Sequence, residues 1–212
     1  MEDPSMPFPR QVFSLVFFCS MLFTGCSAYV DDDDSASTAT VTVTLNDDDI
    51  AEPSPITWTD CGGLPGDHPC DFTFVDQHGD EWNLYDNYGE VILLDFSTMW
   101  CGYCQVAAAD VQLMQDTYGP DGFVWVTLLV DDTAGGDVSL DEVQLWANTY
   151  GITTAPVLMA DRSIIDTTGE DGYPVTSWPM FILVDRDMTI SWGLRGWSQE
   201  MILAAIEDIL GQ

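Results

Sequence analysis

The stretch Trp-Cys-Gly-Tyr-Cys at residues 100–104 joins a strand-like segment to a helix-like segment. Residues 91–96, Val-Ile-Leu-Leu-Asp-Phe, form a short apolar run that is rich in strand-forming residues. In residues 105–118 apolar side chains recur at helical spacing, and a Gly-Pro pair ends the pattern. Cys101 is therefore predicted at the first turn of a helix, where free N–H groups and the helix dipole favour thiolate over thiol. Cys104 follows one turn later, so the pair predicts a disulfide that acts as a two-electron redox switch.

The residues around the two cysteines extend the motif to Asp-Phe-x-x-x-Trp-Cys-Gly-x-Cys, residues 95–104. This segment closely resembles the active-site segment of thioredoxins. A wider resemblance, over residues 71–210, is to the secreted TlpA-like branch of that superfamily, and it is carried by the segments at 71–74, 77–79 and 178–185. The resemblance implies an α/β, thioredoxin-like fold with a mixed central sheet flanked by helices and an N-terminal β-hairpin extension. It also implies an extracytoplasmic thiol-disulfide oxidoreductase.

Hydrophobic periodicity and turn residues predict the order of elements in this region. A β-hairpin is expected around residues 77–80, and a closing helix is expected at Gln199–Leu210 with Ser198 as its N-cap. Alternation of strands and helices implies a mixed, partly parallel sheet that is covered on both faces. The other predicted elements are strand Val91–Phe96, helix Gln105–Tyr118, strand Phe123–Val130, helix Leu140–Tyr150 and strands Val157–Met159, Met180–Val184 and Thr189–Leu194.

The first 25 residues have the shape of a signal peptide. An apolar stretch at 12–23 follows Arg10 and is too short to span a membrane as a mature helix. Phe-Thr-Gly-Cys at 23–26 resembles a bacterial lipobox, in which the cysteine is lipidated and becomes the new N-terminus. The protein is therefore expected to be exported and anchored to the membrane through a lipid on Cys26, in the periplasm or at the cell surface. Ordinary secretion and an uncleaved anchor are the alternatives.

Composition divides the rest of the chain and excludes some partners. Residues 26–55 are rich in Asp, Ser and Thr and are predicted to form an acidic, disordered tether, whereas residues 56–212 are predicted to form the thioredoxin-like domain. With 36 acidic and 4 basic residues, the net charge of −32 excludes nucleic acid as a partner, because little could neutralise phosphates. The acidic runs lack the ligand spacing of a calcium loop, so no metal site is expected. No cofactor is expected either.

The six cysteines receive separate assignments. Cys19 leaves with the signal peptide, and Cys26 takes the lipid. Cys61 and Cys70 are expected to form a structural disulfide, because such bonds persist in exported proteins. A second interpretation makes this pair an electron relay to the cysteines of the 101–104 motif.

The residues of the motif receive chemical roles. Cys101 is the predicted nucleophile, and Cys104 is the predicted resolving thiol. Asp95 interrupts an apolar strand, and burial would raise its pKa into the range of a general base that takes the proton of Cys104. In thioredoxins the aspartate at this motif position has that role, and Thr127 stands approximately where they place a lysine. A strand-end aspartate that reaches solvent is the alternative.

A second group of residues is expected to bind the client. In the family, the proline that matches Pro179 is cis and lies against the cysteines, where the neighbouring backbone pairs with the substrate chain. Trp178 is bulkier than the usual residue before this proline, and it is expected to shape the docking surface together with Trp100. The alternative is that Pro179 starts a strand in the trans form.

The direction of electron flow and the reaction class are inferred from what surrounds the motif. The two residues between the cysteines, Gly102 and Tyr103, do not include the histidine that stabilises the thiolate in strong oxidants, and no Lys or Arg adjoins the motif. Because a less stable thiolate makes the disulfide harder to reduce, a reductant of client disulfides is expected. A peroxiredoxin-like peroxidase is the nearest alternative, since Thr98 lies three residues before Cys101, although no helpful arginine is evident. A non-catalytic, lipid-tethered binding module is the third interpretation. The clients and the upstream donor are not identified by the sequence.

Overall fold

The computed structural model describes residues 55–211, so the predicted signal peptide, Cys26 and the tether up to residue 54 lie outside the described residues. Within this part of the chain, no helix is long and apolar enough to cross a membrane. Short 3₁₀ turns connect several elements. The strands and helices are β1 (Thr73–Val75), β2 (Glu81–Asn83), β3 (Val91–Thr98), α1 (Gly102–Ala108), α2 (Val111–Tyr118), β4 (Phe123–Asp131), α3 (Leu140–Tyr150), β5 (Val157–Met159), β6 (Met180–Val184), β7 (Ile190–Arg195) and α4 (Gln199–Leu210).

Five strands form the central sheet in the order β5-β4-β3-β6-β7. The strands β3, β4 and β5 are parallel neighbours, whereas β6 and β7 are antiparallel to their neighbours. The strands β1 and β2 form a separate antiparallel hairpin. The predicted mixed sheet and N-terminal hairpin are therefore confirmed. Because parallel strands point the same way, the segments that follow β3, β4 and β5 begin at the same edge of the sheet.

The central strand β3 is buried along its whole length, and its alternate side chains enter two different hydrophobic clusters. Val91 and Leu93 join the cluster that contains every buried side chain of the four α-helices. The connections from β3 to β4 and from β4 to β5 join parallel neighbours in the same direction across the sheet, and because such crossovers are almost always right-handed, α1, α2 and α3 are expected on one face. Ile92 and Leu94 join the opposite cluster, which is closed by residues of the hairpin region and of the segment before β6.

The predicted helix 105–118 is wrong at its start and in its continuity. The structure begins α1 at Gly102 and separates it from α2 at Ala109 and Asp110. The Asp110 N–H donates to the carbonyl of Ala107 at 3.0 Å, three residues back instead of four, and this tighter turn ends α1. The earlier start has a local cause as well, because the Cys101 sulfur accepts the N–H of Cys104 and caps the helix.

Candidate active site

Cys101 and Cys104 form a disulfide at the junction of β3 and α1. Cys101 is the N-cap of α1, and its Sγ accepts a hydrogen bond from the Cys104 N–H at 3.2 Å. Cys101 is 7% exposed and Cys104 is 0% exposed, so of the two residues only Cys101 has any exposed surface. The flanking Trp100 and Tyr103 are exposed. The arrangement suits a disulfide that is approached from one side, through Cys101.

Asp95 lies on β3 and, by strand alternation, on the same face of the sheet as Val91 and Leu93, which packs against the helices. Its side chain is 1% exposed, so the alternative of an aspartate that reaches solvent is wrong. The Ser97 hydroxyl donates to Oδ1 at 2.7 Å, the Trp125 indole donates to Oδ2 at 3.4 Å, and the Thr127 hydroxyl donates to Oδ2 at 3.5 Å. Three neutral donors therefore surround the carboxyl group, and no cation contacts it among the described residues.

Burial raises the pKa of Asp95 to about 7, because removal of water disfavours the charged carboxylate. The hydrogen bonds from Ser97, Trp125 and Thr127 oppose this rise but do not cancel it. An aspartate with such a pKa is present as both acid and base near neutral pH, which is the condition for efficient proton transfer.

Trp178 and Pro179 are joined by a cis peptide bond just before β6. Pro179 is buried, and Trp178 is half-buried against both hydrophobic clusters. The Pro179 carbonyl accepts the Gly196 N–H at 2.8 Å, which ties this turn to the end of β7. The trans alternative for Pro179 is therefore wrong.

Cys61 and Cys70 form a second disulfide, with Cα atoms 4.8 Å apart. The loop between them is hydrogen-bonded to the edge strand β7, since Gly66 donates to the Ile190 carbonyl and Ile190 donates to the Asp67 carbonyl. The bridge thereby holds a loop against the sheet.

Asp131, at the end of β4, contacts the turn in front of Cys101. Its Oδ2 accepts a hydrogen bond from Trp100 Nε1 at 3.1 Å, and its backbone oxygen accepts the Met99 N–H at 3.0 Å. Arg162 lies in the turn after β5 and binds the same carboxylate through Nε at 2.8 Å and Nη2 at 2.5 Å.

Comparison with known proteins assigns the family. Residues 65–192, more than half of the chain, match the model of the AhpC/TSA family. The chain belongs to the AhpC/TSA family.

Relatives of this AhpC/TSA protein agree on the fold. It is 35% identical over 52 residues to a thioredoxin from Coprinus comatus, a match that covers 24% of this chain and 49% of the relative. The chain thus aligns with about half the length of that curated relative. A thiol:disulfide interchange protein of the thioredoxin family from Chlorobium tepidum superimposes with a TM-score of 0.54 at 22% identity, covering 74% of this chain and 100% of the other.

The exposed lipoprotein thioredoxin of Streptococcus pneumoniae superimposes with a TM-score of 0.54 at 23% identity, covering 66% of this chain and 99% of the other. Likeness at such identities establishes the fold. The predicted membership of the thioredoxin superfamily and the predicted thioredoxin-like fold are confirmed.

Asp131 and Arg162 of this AhpC/TSA protein are the site residues that the sequence prediction missed. No Arg adjoins the motif along the chain, but the prediction is wrong in space. Arg162 binds the Asp131 carboxylate, which also accepts the indole N–H of Trp100. A signal was present: Cys101, Asp131 and Arg162 each lie at or just after the end of a predicted strand. If those three strands are parallel neighbours, their ends meet at one edge.

Proposed function

We propose that this AhpC/TSA-family protein is an extracytoplasmic thiol-disulfide oxidoreductase that reduces disulfides of client proteins. The observation that carries the proposal is the disulfide between Cys101, at the start of α1, and Cys104, which is completely buried beneath it. Cys101 retains some exposed surface and Cys104 retains none, which suits Cys101 to attack the client and Cys104 to resolve the intermediate. Family membership and the thioredoxin-like fold support the same reaction class.

The reaction proceeds from the reduced protein in two exchanges that conserve sulfur and electrons. The Cys101 thiolate attacks one sulfur of a client disulfide, forms an intermolecular disulfide and expels the other client sulfur as a thiolate. Cys104 then attacks the Cys101 sulfur and releases the second client thiolate. The protein is left with the Cys101–Cys104 disulfide, the form in the structure, and the client has gained two electrons.

Asp95 is proposed as the base for the second exchange. Cys104 must lose its proton to attack, and it is enclosed on the same face of the sheet as Asp95. A carboxyl group whose pKa lies near 7 accepts this proton at neutral pH and returns it in the reverse reaction.

Trp100, Trp178 and Pro179 are proposed to bind the client chain. Trp100 is 48% exposed beside Cys101, and Tyr103 is 68% exposed in the first turn of α1. Indole and phenol rings supply rigid contact area with a polar edge, which suits a docking surface for extended peptide. The clients are proteins that contain an accessible disulfide.

The wild-type protein should reduce insulin in the presence of dithiothreitol, and equilibration with glutathione buffers should give a potential nearer to about −270 mV than to about −120 mV. The absence of a histidine between the cysteines underlies the expected reducing potential. A potential near that of strong oxidants would contradict the reductant direction alone. Hydrogen peroxide consumption without insulin reduction would favour a peroxidase, and the absence of both activities would favour a binding module.

One observation favours the peroxidase as the second candidate. The Thr98 hydroxyl is buried three residues before Cys101, and it has no hydrogen-bond partner in the described part of the chain. A buried hydroxyl without a partner is costly, and a small oxygen-containing substrate at Cys101 would supply one. Thr98→Val should then lower peroxide consumption selectively if the peroxidase is the true activity.

We infer that the protein is exported and anchored through a lipid on Cys26, because Phe-Thr-Gly-Cys at 23–26 resembles a lipobox and a superimposable relative is an exposed lipoprotein. Cys26→Ser should abolish acylation and make processing insensitive to globomycin, whereas Cys19→Ser, the matched control, should change neither. Processing of Cys26→Ser that is indistinguishable from wild type would exclude the lipid anchor.

A further inference from the structure

The Asp131 carboxylate lies at the centre of a hydrogen-bonded cluster beside the disulfide. Its side chain is 2% exposed. The carboxylate accepts a hydrogen bond from the indole N–H of Trp100 at 3.1 Å, and the backbone oxygen of Asp131 accepts one from the N–H of Met99 at 3.0 Å. Both donors belong to the turn that leads into Cys101. Asp131 therefore holds this turn in place, and its buried carboxylate is hydrogen-bonded to the residue that directly precedes Cys101.

A negative charge at this position opposes the proposed chemistry unless it is compensated. Formation of the Cys101 thiolate beside an unpaired carboxylate would be disfavoured by like-charge repulsion, which is strong where water is excluded. Burial of an unpaired carboxylate is also costly in itself. The cluster therefore requires a cation.

Arg162 supplies that cation. Its Nε and Nη2 donate to the two oxygens of Asp131 at 2.8 and 2.5 Å, the two-pronged geometry that makes Arg–carboxylate pairs strong. The Asp131 carboxylate raises the pKa of Arg162 by accepting these hydrogen bonds. The side chain is 60% exposed, and its guanidinium lies 5.8 Å from the ring centre of Trp178. Arg162 thus links the Trp100 turn to the residue that precedes the cis proline.

The other ionisable groups around Cys101 do not provide this compensation. Asp95, from β3, is acidic and buried, and its hydrogen bonds come from neutral side chains. Helix α1 has no acidic residue in its first turn and no basic residue in its last, and its Tyr103 is exposed. Asp132, which follows Asp131, turns its Oδ1 to the N–H groups of its own loop.

We propose that Arg162 stabilises the Cys101 thiolate by neutralising Asp131, and that the pair fixes the Trp100 turn from which Cys101 attacks. Arg162 is a positioning residue in this account, since it acts through Asp131 and not by contact with the sulfur. The inference rests on the proposed function, because it takes Cys101 as the attacking thiol. It also predicts opposite effects for the two partners. Removal of the Arg162 cation leaves the Asp131 carboxylate uncompensated and should destabilise the Cys101 thiolate. Removal of the Asp131 carboxylate leaves the Arg162 cation unpaired and should stabilise the thiolate.

The test is the pH profile of the iodoacetamide alkylation rate of the reduced, full-length protein, with the labelled cysteine identified by mass spectrometry. In Arg162→Gln the midpoint of the profile should rise by about one pH unit, and Arg162→Lys should recover part of the shift. In Asp131→Asn, which keeps an acceptor for Trp100, the midpoint should fall. Arg186→Gln is the matched control, because it also removes one positive charge. Arg186 binds the backbone carbonyls of Gly89 and Asp121 near the start of β3, so its loss should leave the midpoint unchanged.

Each outcome is decisive. An unchanged midpoint in Arg162→Gln, or shifts of the same sign in Arg162→Gln and Asp131→Asn, would overturn the inference, because a loosened turn would move both variants the same way. If Arg162→Gln does not fold, a midpoint in Asp131→Asn that is equal to or above that of wild type overturns it as well. Alkylation of Cys104 in place of Cys101 would instead overturn the proposed function.

Discussion

Cys101→Ser is expected to abolish insulin reduction, with a loss of at least about a thousandfold. Serine keeps the helix cap and the shape of the side chain, but its hydroxyl does not form an anion near neutral pH, so the covalent intermediate with the client cannot form. The partial exposure of Cys101 and the full burial of Cys104 leave no second nucleophile to replace it. The measurement is insulin turnover with dithiothreitol at pH 7, with circular dichroism as the check of folding.

Cys104→Ser should behave differently from Cys101→Ser, and the difference identifies the roles. Cys101 remains free to attack, but nothing resolves the intermediate, so a disulfide-linked complex with the client should accumulate. The complex should be visible on non-reducing gels and should identify clients when it is isolated from the native compartment. Accumulation on Cys101→Ser instead would reverse the two assignments.

The second disulfide provides the matched control for both cysteine variants. The double variant Cys61→Ser, Cys70→Ser should retain turnover while it loses about 2–3 kcal/mol of stability, because the bridge closes a short loop and holds it against β7. Loss of turnover in a folded double variant would support the electron-relay interpretation of this pair.

Asp95→Asn is expected to stabilise the folded protein above pH 7 by up to about 4 kcal/mol. The pKa of Asp95 is about 7 in the folded protein against an ordinary value of 3.8, and each tenfold change in proton affinity is worth ~1.4 kcal/mol. The folded state binds the Asp95 proton more tightly than the unfolded state does. The contribution of this proton to the free energy of unfolding is therefore complete below pH 3.8. It is lost as the pH rises to about 7, where the buried group becomes charged.

Asparagine stays neutral, and the stability difference between variant and wild type should therefore grow between about pH 4 and pH 7 and then level off. Urea unfolding at pH 5 and pH 8 measures it. Asp187→Asn removes an exposed carboxylate and serves as the control, with no comparable pH-dependent gain. A stability difference between Asp95→Asn and wild type that is the same at pH 5 and pH 8 would show that burial does not raise the pKa of Asp95.

The same substitution should slow the release of reduced client at neutral pH. Wild-type release should accelerate through pH 7 as Asp95 loses its proton, and this acceleration should be absent in Asp95→Asn because asparagine accepts no proton. Rapid-mixing measurements of mixed-disulfide decay separate this step from the first attack. An identical pH profile in the two proteins would remove Asp95 from the mechanism.

The elements that were predicted accurately depend on short-range patterns. Leu140–Tyr150 and Gln199–Leu210 have the predicted bounds because each has a serine cap before it and a glycine after it. The helix after Cys101 was predicted with wrong bounds, because its start depends on capping by sulfur and its break depends on one hydrogen bond at Asp110.

By itself, the sequence determined the neighbouring cysteines Cys101 and Cys104, their place at a strand–helix junction, the buried carboxyl group of Asp95 in the preceding strand and the superfamily. These features follow from residues that are near one another along the chain, where periodicity, caps and turns act. Only the tertiary structure decided that Trp100, Asp131 and Arg162 form one cluster, since Asp131 is 31 residues from each of the other two. Strand order and register bring such distant residues together, and they depend on the free energy of the whole sheet and not on any local pattern.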